Sequence, residues 1–290
     1  MKMGKVVAII LNYNSSRDCS KCVEYLKKQD YEELEVVVVD NASTHEGEIE
    51  RLRRVCMENN VELLLNMSNR GYSAGNNVGI KRAIECGAEW CLIINPDVEL
   101  RDNSYIRMVM NLVKEWSDVA IIGSNVVLPS GAWQNPQRES GFWEDLCWPF
   151  QVIKSKIDKK SNRYLCDRKT GYCEKVCGAC FFISSETVKR IGYLDEGVFM
   201  YSEEAILSAQ IKKIGKKVLY INDITAYHEH YAAKKELAST RMVQFIESRL
   251  YYYKKFSEYT TVQKVLLRIS LNFEKIYWKS RGSKFWKRED

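Results

Sequence analysis

Five short clusters in this chain carry groups able to do chemistry, and two of them follow directly on apolar runs. Val36-Val37-Val38-Val39 ends at Asp40, followed by Asn41-Ala42-Ser43. A carboxylate at that place can accept hydrogen bonds from the imide of a pyrimidine base or from a ribose hydroxyl. It can equally cap a helix beginning near residue 44. Trp90–Ile94 ends at Asn95-Pro96-Asp97. Asp97 there can hold a divalent cation through a carboxylate oxygen, the cation then bridging a diphosphate, or the tripeptide can be a plain turn. Glu203 and Glu204 precede a helical stretch. Such a pair either suits the helix dipole or puts a general base beneath an acceptor hydroxyl.

Two further clusters are less pointed. Asn69-Arg70-Gly71-Tyr72-Ser73-Ala74-Gly75-Asn76-Asn77 reads as a small-residue loop before a helix over 75–86. Glycines let backbone amides approach a ligand, and a helix N-terminus favours an anion such as a diphosphate; a simple strand-to-helix turn has the same composition. The spacing Gly71, Gly75, Gly79 is not the dinucleotide GxGxxG pattern, which counts against a nicotinamide enzyme. His228 stands in Ala226-Tyr227-His228-Glu229-His230, just after a strand, and two of the chain's 3 histidines lie here. A metal or phosphate role fits His228, a structural one His230.

The elements that must position these groups follow from periodicity. Continuous apolar runs at 5–11, 36–39 and 90–94 are expected of strands buried on both faces. Further strands are expected at 61–66, 120–123, 176–184 and 217–221, with helices near 17–29, 46–60, 75–86, 103–115, 186–191 and 203–214. This alternation argues for a parallel sheet with helices on both faces. Ligands bind such sheets at the carboxyl ends of the strands, where Asn12, Asp40 and Asn95 stand. Residues 124–175 read as a long, partly ordered excursion over the site, and loops of that length are usually functional.

The chain has 290 residues, 46% of them hydrophobic, enough for one α/β domain with an extension. No apolar run approaches the roughly 18–20 residues that cross a bilayer. The N-terminal apolar run lacks a small-residue cleavage site and reads as a strand, not a signal peptide. A cytoplasmic protein with reduced thiols is therefore expected, despite 10 cysteines. Cys19, Cys22, Cys166, Cys173, Cys177 and Cys180 have spacings seen in zinc sites. Cys177 and Cys180, however, fall in the expected strand 176–184 on opposite faces, and Cys19 and Cys22 fit helix packing. Residues 234–290 hold 14 Lys and Arg against 6 Asp and Glu, while the whole chain is only +6. Any anionic partner belongs with that tail. Its end, Trp278 to Arg288, mixes aromatic and basic residues as membrane-surface anchors do; no nucleic-acid reading motif accompanies the charge.

Taken in order, the clusters resemble family 2 glycosyltransferases with the GT-A fold, of the bacterial rhamnosyltransferase-like kind. The residues that carry the likeness are Val38 to Ser43, Asn69 to Asn77, Asn95-Pro96-Asp97, Gly178-Ala179, Phe199 to Glu204, and His228, over roughly residues 5–231. The resemblance implies an α/β GT-A catalytic domain at 1–233, with a mainly parallel sheet flanked by helices and a Rossmann-like nucleotide half. A basic, aromatic helical extension follows at 234–290. It implies that Asp40 binds the nucleotide base, with Asn12, Asn41, Asn69, Gly75, Asn76 and Asn95 around the nucleotide. Asp97 takes the metal place of the DxD-type motif, Asn95 its first position, and His228 helps hold the metal or diphosphate. Glu204 takes the place of the catalytic base, with Glu203 beside it. The implied cofactor is Mg2+ or Mn2+. The implied partners are a nucleoside-diphosphate sugar and a glycan or lipid-linked acceptor, in bacterial surface polysaccharide synthesis by inverting transfer at the inner face of the cell membrane.

The family usually shows Glu-Asp where this chain has Glu203-Glu204, an acidic residue at Ile206 and an arginine at Gln210. Ile206 and Gln210 keep open a catalytically impaired sugar-nucleotide-binding partner of a polysaccharide assembly complex, and the shared sheet keeps open a nucleotidyltransferase or other nucleotide-sugar enzyme.

Overall fold

A computed structural model describes residues 4–150, 153, 166–229 and 238–285. In chain order the elements are β1 (Val6–Asn12), α1 (Ser16–Lys27), β2 (Leu34–Asp40), α2 (Glu48–Glu58), β3 (Glu62–Leu65), α3 (Tyr72–Glu85), β4 (Trp90–Ile94) and β5 (Val98–Glu99). Then come α4 (Tyr105–Leu112), β6 (Val119–Val127), α5 (Phe142–Leu146), β7 (Gly171–Cys173), β8 (Cys180–Ser184) and α6 (Ser185–Arg190). The chain continues with α7 (Glu203–Lys213), β9 (Lys217–His228), α8 (Ala238–Lys255) and α9 (Thr261–Phe285).

Alternate side chains of a strand leave on opposite faces. Val6, Ala8 and Ile10 therefore enter one core, with Cys19, Cys22 and Leu26 of α1, Leu52 of α2 and Ile106 of α4. Val7 and Ile9 enter another, with Ile80 of α3, Val188 of α6 and Leu207 of α7. A strand covered on both sides must be apolar throughout, which is why β1 reads as one unbroken run.

The sheet runs β3-β2-β1-β4-β8-β6-β9-β5, with β7 beside β9. β1 to β4 pair in parallel, so that Asn12 and Asp40 stand side by side at the strand ends. The other half is mixed where the alternating pattern suggests parallel pairing throughout: β6 and β9 pair in parallel. β8 runs antiparallel to both β4 and β6, and β5 antiparallel to β9.

Several boundaries also move. β8 starts at Cys180, and 176–179 lies outside it, because its amides bond side chains and not a neighbouring strand: Cys177 N–H donates to Asn135 Oδ1 and Gly178 N–H to Glu204 Oε1. Cys177 and Cys180 therefore do not share a strand. β6 continues to Val127, and β9 runs on to His228 instead of stopping at 221. α3 begins at Tyr72, so Gly75 and Asn76 lie in its first turns and not in a loop.

No helix among the described residues is long and apolar enough to cross a membrane. α8 and α9 pack together around Ile246, Tyr253, Leu267 and Leu271. They also join the rest of the molecule: Ser270 Oγ donates to Leu146 O at 2.7 Å, and Ser248 Oγ to Met200 O at 2.6 Å. His230 and the end of the Trp278–Arg288 stretch lie outside the described residues.

Candidate active site

The parallel strands deliver one polar cluster. Asn12, Asp40 and Asn41 are all buried, at 0%, 1% and 3% exposure. A buried carboxylate needs partners, and Asp40 has them: Asn12 Nδ2 donates to Oδ1 at 2.9 Å, and Ser43 N–H donates to Oδ2 at 2.9 Å. Asn41 extends the cluster, donating to Asn69 Oδ1 at 2.9 Å and accepting from Asn66 Nδ2 at 3.0 Å. Gly71 N–H also donates to Asn69 Oδ1. The loop 66–71 is thereby tied to the end of β2.

Gly75 has a different part from a phosphate-cradling one. Its N–H donates to Gly71 O inside the helix, and a Cβ there would fall 2.5 Å from Leu11 Cδ1. Gly79, one turn on, would meet Ile9 Cγ2 at 2.4 Å. The glycine spacing is a small-residue face that lets α3 lie close on β1. Asn76 is fully buried, its Nδ2 donating to Tyr72 O. Asn77 crosses to the far side of the site, exchanging hydrogen bonds with Leu194 through Nδ2 and Oδ1.

The Asn95–Asp97 turn leads into β5, and the β5–β9 pairing sets Val98 opposite His228. Asp97 Oδ1 then lies 3.3 Å from His228 Nε2. His228 Nδ1 lies 2.7 Å from Gln134 Oε1. With the amide oxygen facing the ring, Nδ1 carries the proton and Nε2 is turned toward the carboxylate. A proton on Nε2 makes that contact an ion pair. A divalent cation taking one carboxylate oxygen and one imidazole nitrogen satisfies the same two atoms, so the donor set fits an ion of that class. Among the described residues no group of three His, Cys, Asp or Glu converges to hold a metal by itself. An ion there would take its other ligands from a substrate or water, as Mg2+ commonly does with phosphates.

Gly178 and Ala179 join this turn to the two glutamates. Asn95 N–H donates to Ala179 O at 2.8 Å, and Gly178 N–H donates to Glu204 Oε1 at 3.1 Å. Tyr72 O–H donates to Gly178 O at 2.6 Å. A Cβ on Gly178 would stand 3.2 Å from Glu204 Oε1 and 3.4 Å from the Tyr72 oxygen, so a side chain there would crowd both. Burial, reinforced by the charge of Glu204, raises the Glu203 carboxyl to about 8. A cavity of about 20 Å³, lined by Tyr72, Gly178, Glu203, Glu204 and Gln210, is of water size.

The turn that presents the glutamates is strained. Tyr201 (φ 73°) and Ser202 (φ 62°) are both left-handed without being glycine, a conformation that persists only where surroundings enforce it. α8 supplies them: Ser248 holds Met200 O, and Phe245 lies edge-on to the Tyr201 ring at 6.0 Å. Ile206 is 2% exposed against Val198 and Phe256, and Gln210 Nε2 donates to Tyr193 O at 3.2 Å. Both departures from the family pattern are thus built into packing.

The strand ends therefore gather Asn12, Asp40, Asn41 and Asn69 at one end, Asn95, Asp97 and His228 beyond, and Glu203 and Glu204 on the far side of Gly178. Sequence reasoning missed two contributors. Tyr72 stood inside a quoted motif without a role, its aromatic ring among small residues being the available signal. Gln134 lies 94 positions from the histidine it orients, and nothing local marks it.

The family model described as "Glycosyl transferase family 2" matches residues 7–187. The chain is 30% identical over 198 residues to the low-salt glycan biosynthesis hexosyltransferase Agl10 of Haloferax volcanii, a match covering 68% of this chain and 58% of that protein. It thus spans less than two thirds of that relative's length. It is 28% identical over 230 residues to glycosyltransferase GlyG of Streptococcus pneumoniae, covering 76% and 69%. With the N-acetylglucosaminyl-diphospho-decaprenol L-rhamnosyltransferase of Mycobacterium tuberculosis it shares 23% over 216 residues, covering 67% and 66%.

Among solved structures, the mannosyltransferase PcManGT from Pyrobaculum calidifontis, in complex with GDP-Man and Mn2+, superposes with a TM-score of 0.59 at 18% identity, covering 92% of this chain and 69% of that one. S. aureus TarS gives 0.57 at 15%, covering 92% and 43%. At such identities the likeness is one of fold, and it is the GT-A fold. The family match runs through the strand ends bearing Asp40 and Asn95 and over more than half the chain; this protein belongs to glycosyltransferase family 2.

Proposed function

We propose that the protein is an inverting glycosyltransferase. In this reading it moves a hexose from a nucleoside-diphosphate sugar to a hydroxyl of a glycan or lipid-linked acceptor, in surface polysaccharide synthesis at the cytoplasmic side of the cell membrane. The observation that carries this reading is Glu204, held on Gly178 N–H one short segment away from the Asn95–Asp97 turn. The relatives support the chemistry class: one is named a hexosyltransferase of glycan biosynthesis, another a rhamnosyltransferase of a diphospho-decaprenol acceptor. The complex of PcManGT with GDP-Man and Mn2+ supports a nucleotide-sugar donor and a divalent ion.

In this mechanism Asp40, with Asn12, Asn41 and Asn69, recognises the base or ribose, and Asn95 lies toward the sugar-diphosphate. Asp97 and His228 would hold Mg2+ or Mn2+, whose charge would offset that of the diphosphate. Glu204 takes the proton of the acceptor hydroxyl as its oxygen bonds to the anomeric carbon. The bond from that carbon to the diphosphate oxygen breaks, and the nucleoside diphosphate leaves with the electron pair. Glu203, raised to about 8, is protonated near neutral pH and adds no second negative charge beside the base.

A thermal-shift screen of UDP, dTDP, GDP and their sugars, with and without Mn2+, tests the donor half. A ligand bound to the native state raises the melting temperature. Metal-dependent stabilisation by one nucleoside diphosphate is expected; no shift from any of them would sink the donor assignment.

A further inference from the structure

One face of α9 is left uncovered among the described residues. Leu267 and Leu271 turn inward against Ile246 and Tyr253 of α8. The opposite face exposes Val262 (69%), Val265 (51%), Leu266 (42%), Ile269 (51%), Phe273 (64%) and Ile276 (63%). These recur every three or four residues, so on a helix they fall within an arc of about 100°. This is a continuous stripe along four turns, not scattered exposure. The segment lying against α9 adds to it. The Trp148 ring lies tilted against Tyr277, centroids 5.3 Å apart, and on the same segment Trp143 and Phe150 are each 71% exposed.

Charge singles out the occupant. Lys264, Arg268, Lys275 and Lys279 follow the same helical rhythm along one flank of the stripe. Lys275 pairs with Glu247, whereas Lys264 and Arg268 line an open groove together with Lys254 of α8. The acidic residue of α9, Glu274, is buried on the other side at 8% exposure. From 279 to 288 the sequence adds five basic residues and no acidic one. A second copy of the chain, meeting stripe to stripe, would set these cationic flanks against each other. An anionic bilayer surface satisfies both features at once, taking the apolar face into the acyl boundary and the flank against the headgroups.

We infer that α9 is an in-plane membrane-binding helix for an anionic lipid surface, with its lipid face formed by residues 262–276. The Trp278–Arg288 stretch of the sequence adds basic charge beyond that face. This inference stands apart from the sugar-transfer reading, and its test does not use activity.

The full-length protein is co-sedimented with vesicles of phosphatidylcholine alone and of phosphatidylcholine mixed with phosphatidylglycerol. Wild type binds the mixed vesicles and not the neutral ones. The double substitution Ile269→Glu and Phe273→Glu, at exposed positions and with unchanged Tm, lowers that binding by more than about tenfold. Lys264→Ala with Arg268→Ala lowers it by about fivefold per cation at low salt and leaves a smaller salt dependence. Wild type that ignores anionic vesicles, or a stripe variant that binds like wild type, overturns the inference. So does a dimer in light scattering that the stripe variant dissociates, since the stripe would then cover a second copy.

Discussion

At the Asp40 end of the site, Asn12, Asp40, Ser43, Asn41 and Asn69 hydrogen-bond one another across the ends of neighbouring parallel strands. At the other end, Glu203 and Glu204 sit on a left-handed turn held by Gly178 and α8, segments far away in the chain. The first arrangement follows from the β1–β2–β3 pairing and the loop that leads from β3 into α3. The second exists only once the C-terminal hairpin has docked. In the proposed mechanism the nucleotide end is thus set by the strand ends while the base is positioned separately, with α8 holding the turn that carries it.

Arg249 gives the sharpest way to break that contrast. It is 8% exposed on α8 and reaches Asp145, Ser140 and Tyr253, and burial pushes the Asp145 carboxyl up. Arg249→Met leaves that carboxyl buried without its cation, a change that costs about 3–5 kcal/mol. Chemical denaturation should show the loss. Where protein remains folded, turnover should fall while donor affinity holds; loss of donor affinity in proportion would mean that the two ends are one unit.

Asp40→Asn probes the other end. It removes a carboxylate oxygen that accepts from Ser43 N–H, leaving an amide facing a donor, for about 1–3 kcal/mol. Calorimetric titration should show weaker nucleotide binding, with kcat at saturating donor little changed. A lowered kcat at unchanged affinity would reverse the assignment.

The smallest effect concerns pH. The folded-state value of Glu203, about 8, lies above its ordinary 4.5. Between those values the native state therefore binds more protons than the unfolded one, and stability falls as pH rises through this window. Glu203→Gln should flatten that decline, giving a Tm several degrees above wild type near pH 8 and little difference near pH 5. Parallel Tm curves for the two proteins would show that Glu203 is not enclosed as described.

How much of this was legible in the sequence tracks the same contrast. The strand-end residues Asp40 and Asn95 could be read because each follows an apolar run in the chain itself. The mixed half could not. β8 begins late because side chains of Asn135 and Glu204 take the amides of Cys177 and Gly178. β9 reaches His228 because β5 and β6 continue alongside it. The packing role of Gly75 against Leu11 was not legible because a glycine serving close helix–strand packing and one serving a phosphate have the same sequence signature. The bond from Arg249 to Asp145 spans 104 positions, and local pattern carries no trace of it.

The most direct test of the account is Glu204→Gln, assayed for donor binding by thermal shift and for transfer in a single turnover. Removing a general base costs about 10²–10⁴-fold. The account predicts a loss of that size with the wild-type shift from donor and Mn2+ retained. Transfer at the wild-type rate would contradict it.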